Sequence, residues 1–288
     1  MNTEKNYLRL GCDRKATLIM NNRAEQRAFT FVELLALIAV VAFCAVMVLP
    51  AMARTRTNSG VTQCLNNLKR LGSAWAMYSS ENNGALVAAY PSFGGFSGSW
   101  CKGNASSNGG AGAYVYGGAD PAGITNGLLW PYVKSFNPYK CPFDKRLAAA
   151  GNPFAGQPIL RTVSMNSYMA GANFGTASAF NVANGGAQDP NAPVFLKENQ
   201  IPRPSSIFVF IDEDPKGIDD CMFLVDMGGG NQFINLPSRL HGFGINFADT
   251  HVELRQLRDP ESFSWGPGQL GGINDWRALT NVTTAPVN

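Results

Sequence analysis

The sequence predicts an α+β fold: a long N-terminal helix packed on a C-terminal antiparallel β-sheet head with long Gly-rich loops. Three observations carry this. From Leu34 to Ala53, twenty residues pass without a charged side chain. Val61, Leu65, Leu68, Leu71 or Gly72, Trp75 and Tyr78 then recur at three- and four-residue spacing, one face of an amphipathic helix. Past Asn82-Asn83-Gly84, a turn signal, the helical period disappears. Short apolar runs replace it, set among stretches dense in Gly, Ser, Ala and Asn.

The uncharged run is the first element. Twenty helical residues at about 1.5 Å each cover the ~30 Å core of a bilayer, so the length predicts a transmembrane helix over 29–53. Residues 1–28 hold six basic and three acidic side chains, a basic leader with Arg23 and Arg27 nearest the run. Met20 offers a second start that would leave a shorter leader of the same sign. Basic residues before a span keep that end in the cytoplasm and the bulk of the chain outside it. The leader accounts for the whole net charge of +3, and the rest balances at 17 basic and 17 acidic groups. A clustered basic surface for nucleic acid is therefore not expected.

Ala28-Phe29-Thr30-Phe31-Val32-Glu33 sits at the head of this run. A small residue, Phe, Thr, a spacer and Glu before an apolar span resembles the type IV prepilin and type II secretion pseudopilin signature. The resemblance implies that a prepilin peptidase cuts between Ala28 and Phe29 and methylates the new Phe29 amine. It also implies that Glu33 pairs with the N-terminus of a neighbouring subunit during filament assembly. Ala28 stands where the family has Gly, so slower processing is expected. Pro50 lies where pilin stalk helices carry a kinking proline, since proline removes a helical hydrogen bond. An ordinary signal anchor, or a signal peptide cut after Ala51-Met52-Ala53, is the competing reading, against which stands a Glu at the start of the apolar region.

After the span, residues 54–82 form the amphipathic stalk helix and 83–288 the β-rich head. Gln63-Cys64-Leu65-Asn66-Asn67-Leu68-Lys69-Arg70-Leu71-Gly72 resembles a C-x-N-N-L-K-Q-L-G stretch of large pseudopilin-like families in planctomycete, verrucomicrobial and lentisphaeral bacteria. Cys141-Pro142-Phe143-Asp144 resembles their C-P-S-D motif, with Phe143 in the Ser position. His241 to Glu253, with Phe247-Ala248-Asp249-Thr250-His251-Val252 inside it, resembles their C-terminal signature. Thr250 replaces its usual Gly, so the turn after Asp249 is expected to need no positive φ. Ile207-Phe208-Val209-Phe210-Ile211-Asp212 reads as a buried central strand. Strands are also expected from Cys221 to Asp226 and from Ile245 to Ala248.

Six cysteines are present. Cys12 belongs to the leader and Cys44 to the span, leaving Cys64, Cys101, Cys141 and Cys221. Four cysteines allow three pairings. Cys101 with Cys141 is preferred because both flank one Gly-rich excursion. None shows the close C-x-x-C spacing of a zinc site.

Three constellations hold residues with binding chemistry. Asp212, Glu213, Asp214, Asp219 and Asp220 give a dense acidic stretch, whose four aspartates are of the kind that holds Ca²⁺, a hard cation wanting oxygens, against a plain solvated loop. A structural calcium is the one cofactor contemplated. His241, Asp249 and His251 contain both histidines and suit a transition metal, against a hairpin in which Asp249 caps the turn. Trp100, Tyr114, Tyr116, Trp130 and Tyr132 could face a glycan, against anchoring their loops to the core.

The expected function is thus a non-enzymatic, pseudopilin-like structural subunit of a secretion or pilus filament. Its partners would be the inner membrane, the prepilin peptidase and further copies of itself. Its place would be a single-pass inner-membrane protein with the head in the periplasm or, after assembly, on the cell surface. The alternatives are a membrane-anchored metal protein or enzyme built on His241, Asp249 and His251, and a filament-displayed glycan-binding module.

Overall fold

A computed structural model describes residues 30–89, 98–103, 105, 116–170, 194–225, 227, 235–264 and 272–284, apart from the side chains of 45–59. Helix α1 covers Phe31–Glu81. The chain divides into two compact units, Met1–Ala53 and Arg54–Asn288.

In the first unit α1 begins with a reciprocal cap. The Thr30 N–H donates to Glu33 Oε2 at 2.8 Å, and the Glu33 N–H donates to Thr30 Oγ1 at 3.3 Å. Thr-x-x-Glu is the capping-box sequence, which satisfies two amides that the first helical turn leaves without partners. Ala28 and Phe29 lie outside the described residues. Pro50 falls inside α1.

The expected transmembrane helix, and with it the single-pass inner-membrane placement, needs correction. Among the described residues no helix is long and apolar enough to cross a membrane. Glu33 is a capped, exposed carboxylate in the first turn of α1.

The second unit contains a five-stranded sheet in the order β3-β1-β2-β4-β5. The strands are β1 Val163–Asn166, β2 Phe208–Asp212, β3 Met222–Phe223, β4 Phe243–Phe247 and β5 Val252–Arg255. The α+β class stands, but the sheet is mixed rather than antiparallel. β1 pairs antiparallel with β2 and parallel with β3. The cause is the connection after β2, which passes the end of β1 and returns on its far side. The remaining pairs, β2 with β4 and β4 with β5, are antiparallel.

Side-chain alternation gives the sheet two different faces. On β4, Phe243, Ile245 and Phe247 join Phe208, Ile211, Phe223 and Leu279 in one core cluster. Leu279 comes from helix α2, Ile273–Thr283. Val163, Met165, Val209 and Phe210 face the other way, into a cluster with Leu68, Leu71, Trp75, Trp100 and Tyr139. Val209 and Phe210 are neighbours in sequence yet share that cluster, because the β2–β4 register shifts between Phe208 and Phe210. A bulge of this kind changes which side of the sheet the next residue faces.

Between α1 and β4 the contact needs small residues. A Cβ on Gly244 would lie 2.3 Å from Leu68 Cδ1, and one on Gly72 would lie 2.4 Å from Asn246 Nδ2. Leu68 and Gly72 are one helical turn apart, and Gly244 and Asn246 are successive residues on one face of β4. The helix therefore sits against the strand at two matched points. A third close approach sets Gly60 against the Phe143 ring, where a Cβ would come within 2.4 Å.

Candidate functional site

The first turn of α1 is the clearest of the predicted sites. Glu33 Oε2 accepts from the Thr30 N–H and also from Thr30 Oγ1 at 2.9 Å. These bonds, the backbone one first, hold the Glu33 carboxyl below its ordinary range. Both go to Oε2, so Oε1 takes no part in the cap. Around this carboxylate the helix is apolar on every side. Phe31, Val32, Leu34, Leu35, Leu37, Ile38, Val40, Val41 and Phe43 are each between 48% and 76% exposed.

The acidic stretch does not form one site. Asp212 is buried on β2, where its Oδ2 accepts from the Gly244 N–H at 3.1 Å. Asp214 is paired with Arg239 Nε at 2.9 Å. Asp219 and Asp220 accept the backbone N–H of Asp220 and Met222. Strand alternation sends the side chain of Glu213 to the side opposite Asp212, and Asp214, Asp219 and Asp220 lie beyond the end of β2. Glu213, the fifth carboxylate of that stretch, is almost wholly buried. It accepts from Ser164 Oγ at 2.5 Å and Asn235 Nδ2 at 2.7 Å. Burial pushes its carboxyl well above the ordinary range, and pushes Asp212 up to about 7.

The histidine set is also split. His241 precedes β4, and its ring lies 3.9 Å from that of Phe143. His251 follows the β4–β5 turn, at the opposite end of the hairpin. Five residues of strand at about 3.3 Å each separate the two. His251 Nδ1 instead lies 2.5 Å from Asp249 Oδ1, with Nε2 3.4 Å from Glu253 Oε1. Asp249 Oδ1 also accepts the His251 N–H, closing an Asx-type turn. Burial acts to raise the Asp249 carboxyl, but the bonds from His251 outweigh it and the net direction is down. Contrary to expectation, Thr250 has φ +73° in that turn.

The cysteines pair differently from the expectation. Cys141 is bonded to Cys64, not to Cys101, with a Cα–Cα distance of 5.2 Å. Cys64 faces the sheet side of α1, which brings it to the turn carrying Cys141 although the two are 77 positions apart in sequence. Sequence distance gave no hint of this, whereas flanking a common loop favoured Cys101. One ligating atom each from Cys64, Cys141 and Asp212 lie within 4.8 Å of one another, the one such grouping of three among the described residues. With the sulfurs joined, neither is the thiolate that a metal requires. A groove of about 470 Å³ is lined by Gln63, Asn67, Lys140 and Arg146 among others. Its cations are engaged, Lys140 with the Ile159 carbonyl and Arg146 with Asp144 at 3.0 Å.

Among the described residues the aromatic set does not form an exposed platform. Trp100 is fully buried, stacked on Tyr139 at 5.7 Å and edge-on to Phe210 at 5.0 Å. Tyr132 donates to Glu81 at 2.6 Å and meets Tyr78 edge to face, and Trp130 packs on Phe136. These contacts anchor loops to α1 and the core. Tyr114 lies outside the described residues, and half-buried Tyr116 accepts from Asn126 Nδ2.

Compared with known protein families, curated proteins and solved structures, the chain matches none.

Proposed function

We propose that the chain is a structural, pilin-like subunit rather than an enzyme. A prepilin-type peptidase trims it between Ala28 and Phe29, and it assembles with further copies, through α1, into a filament of the type II secretion or type IV pilus kind. The observation that carries this reading is the exposed surface of α1 from Phe31 to Phe43. Nine large apolar side chains around one helix amount to a surface that water penalises strongly. Copies of the same helix laid side by side bury it.

Glu33 fits that assembly through the division of its two oxygens. Oε2 serves the cap of its own helix, while Oε1 is left to accept from the Phe29 amine of a neighbouring copy. A carboxylate inside a bundle of apolar helices is costly unless paired, so the pairing selects one register between neighbours. The resemblance of residues 28–33 to the prepilin signature supplies the cut site and the amine. Co-expression with a prepilin peptidase followed by N-terminal sequencing tests the processing step. The expected product begins at methylated Phe29; a chain left uncut, or cut after Ala53, would contradict the reading.

A further inference from the structure

Cys101 and Cys221 are the cysteines of the second unit that take no part in the Cys64–Cys141 bond. They stand 120 residues apart, and both are fully buried. The Cys221 thiol is turned toward the Cys101 segment and bonds its backbone. Cys221 Sγ lies 3.3 Å from the Cys101 carbonyl oxygen and 3.4 Å from that of Gly103.

Backbone on both sides of this contact is held in place. Trp100 Nε1 donates to the Cys221 carbonyl at 2.9 Å, and the Ala105 N–H donates to the Asp219 carbonyl at 2.6 Å. The buried Arg161 guanidinium donates to the carbonyls of Asp219 and Asp220, and on its other side to Val163 O and Ser164 Oγ. Arg161 thereby ties the segment before β3 to β1. The Cys221 thiol lies against Cys101 because these bonds set 100–103 and 105 against 219–221, not because two loose loops happen to touch.

We propose that Cys101 and Cys221 form a second disulfide of this protein. The same oxidising conditions that close Cys64–Cys141 close this pair, and together they use every cysteine of the second unit. The electron acceptor is a dithiol oxidant in its disulfide form. One cysteine thiolate attacks it, giving a mixed disulfide and one released thiol. The second cysteine then displaces the other oxidant sulfur, so an S–S bond forms as the oxidant leaves as two thiols. Two electrons and two protons pass from the cysteines to the oxidant.

The thiolate is the attacking form, and burial pushes the Cys101 thiol well above its ordinary range. The bond therefore forms during folding, before Trp100 is packed between Tyr139 and Phe210. Its structural effect falls on β3, the shortest strand, which begins one residue after Cys221 and lies at the sheet edge.

The test uses the full chain, refolded in a mixture of reduced and oxidised glutathione and then denatured in excess maleimide. Intact mass should show two labels, on Cys12 and Cys44, rising to six after complete reduction. A peptide map should show Cys101 linked to Cys221. Four or six labels before reduction, or a link joining either cysteine to another, would overturn the proposal. A variant with Cys101→Ser and Cys221→Ser separates bond from packing. Reduction should lower the unfolding midpoint of the wild type by more than that of the variant, and equal decreases would also overturn it.

Discussion

Thr30 and Glu33 close the first turn of α1 on each other, each side chain accepting the other's backbone N–H, at 3.3 Å and 2.8 Å respectively. The carboxylate that the prepilin resemblance assigns to contacts between subunits is thus also a capping group within one chain. Removing it has two consequences that different variants can separate.

Thr30→Ala keeps the Glu33 charge and removes one half of the cap. Loss of such an N-cap costs about 1 kcal/mol. Amide hydrogen exchange in the first turn should accelerate by roughly fivefold, the factor equivalent to that cost. Unchanged protection would show that the cap contributes nothing to the start of the helix.

Gly244→Ala should destabilise the second unit by about 1–3 kcal/mol, the usual cost of forcing an extra methyl into a packed contact. Its Cβ would enter the position of Leu68 Cδ1 and approach Asp212 Oδ2 to 2.9 Å. Denaturant unfolding measures the loss, and a variant as stable as wild type would mean that α1 and β4 are not in this contact.

Thr250→Gly should stabilise the protein by about 1 kcal/mol, because a β-branched residue at φ +73° carries a left-handed penalty that glycine does not. Thermal unfolding checks this. A lower midpoint would show that the Thr250 side chain contributes more than the backbone conformation costs.

Stability should fall as pH rises from about 4 to about 7. Burial raises the folded-state Asp212 carboxyl from its ordinary value of 3.8 to about 7. Below the unfolded value both states hold the proton and the shift has no effect. Between the two values the unfolded chain has released its proton and the folded chain still holds one, so each step up in pH favours unfolding. Glu213 is shifted in the same direction by its own burial and adds to the slope. Asp212→Asn keeps an oxygen for the Gly244 N–H and removes one titration. Its unfolding free energy should therefore vary less between pH 4 and 7 than that of the wild type, by up to about 4 kcal/mol for a three-unit shift. Parallel pH profiles would contradict the burial of a protonated Asp212.

Periodic features of the fold were legible in the sequence. Leu68, Leu71 and Trp75 are buried as their spacing requires, and the turn at Asn82-Asn83-Gly84 follows the end of α1 at Glu81. The run ending in Asp212 is a central strand. Local rules failed where a distant part of the chain decides the outcome. Cys64 looks like any residue of the helix face, and only folding of the sheet onto α1 brings Cys141 to it. Asp212 reads as part of an acidic loop, yet strand alternation turns it inward beneath Gly244. The positive φ of Thr250 follows from the tight β4–β5 connection, which imposes the conformation whatever residue is present. The capping box was written plainly as Thr-x-x-Glu before an apolar run, but the same two residues also belong to the cleavage motif, which claimed them first.

Assembly through α1 is the central claim, and Glu33 is the residue on which it turns. The most direct measurement compares chains beginning at Phe29, with Glu33 intact or changed to Ala, by sedimentation and electron microscopy under the same conditions. The account predicts filaments from the first and soluble subunits or irregular aggregates from the second. Filaments of equal number and regularity from both would contradict it.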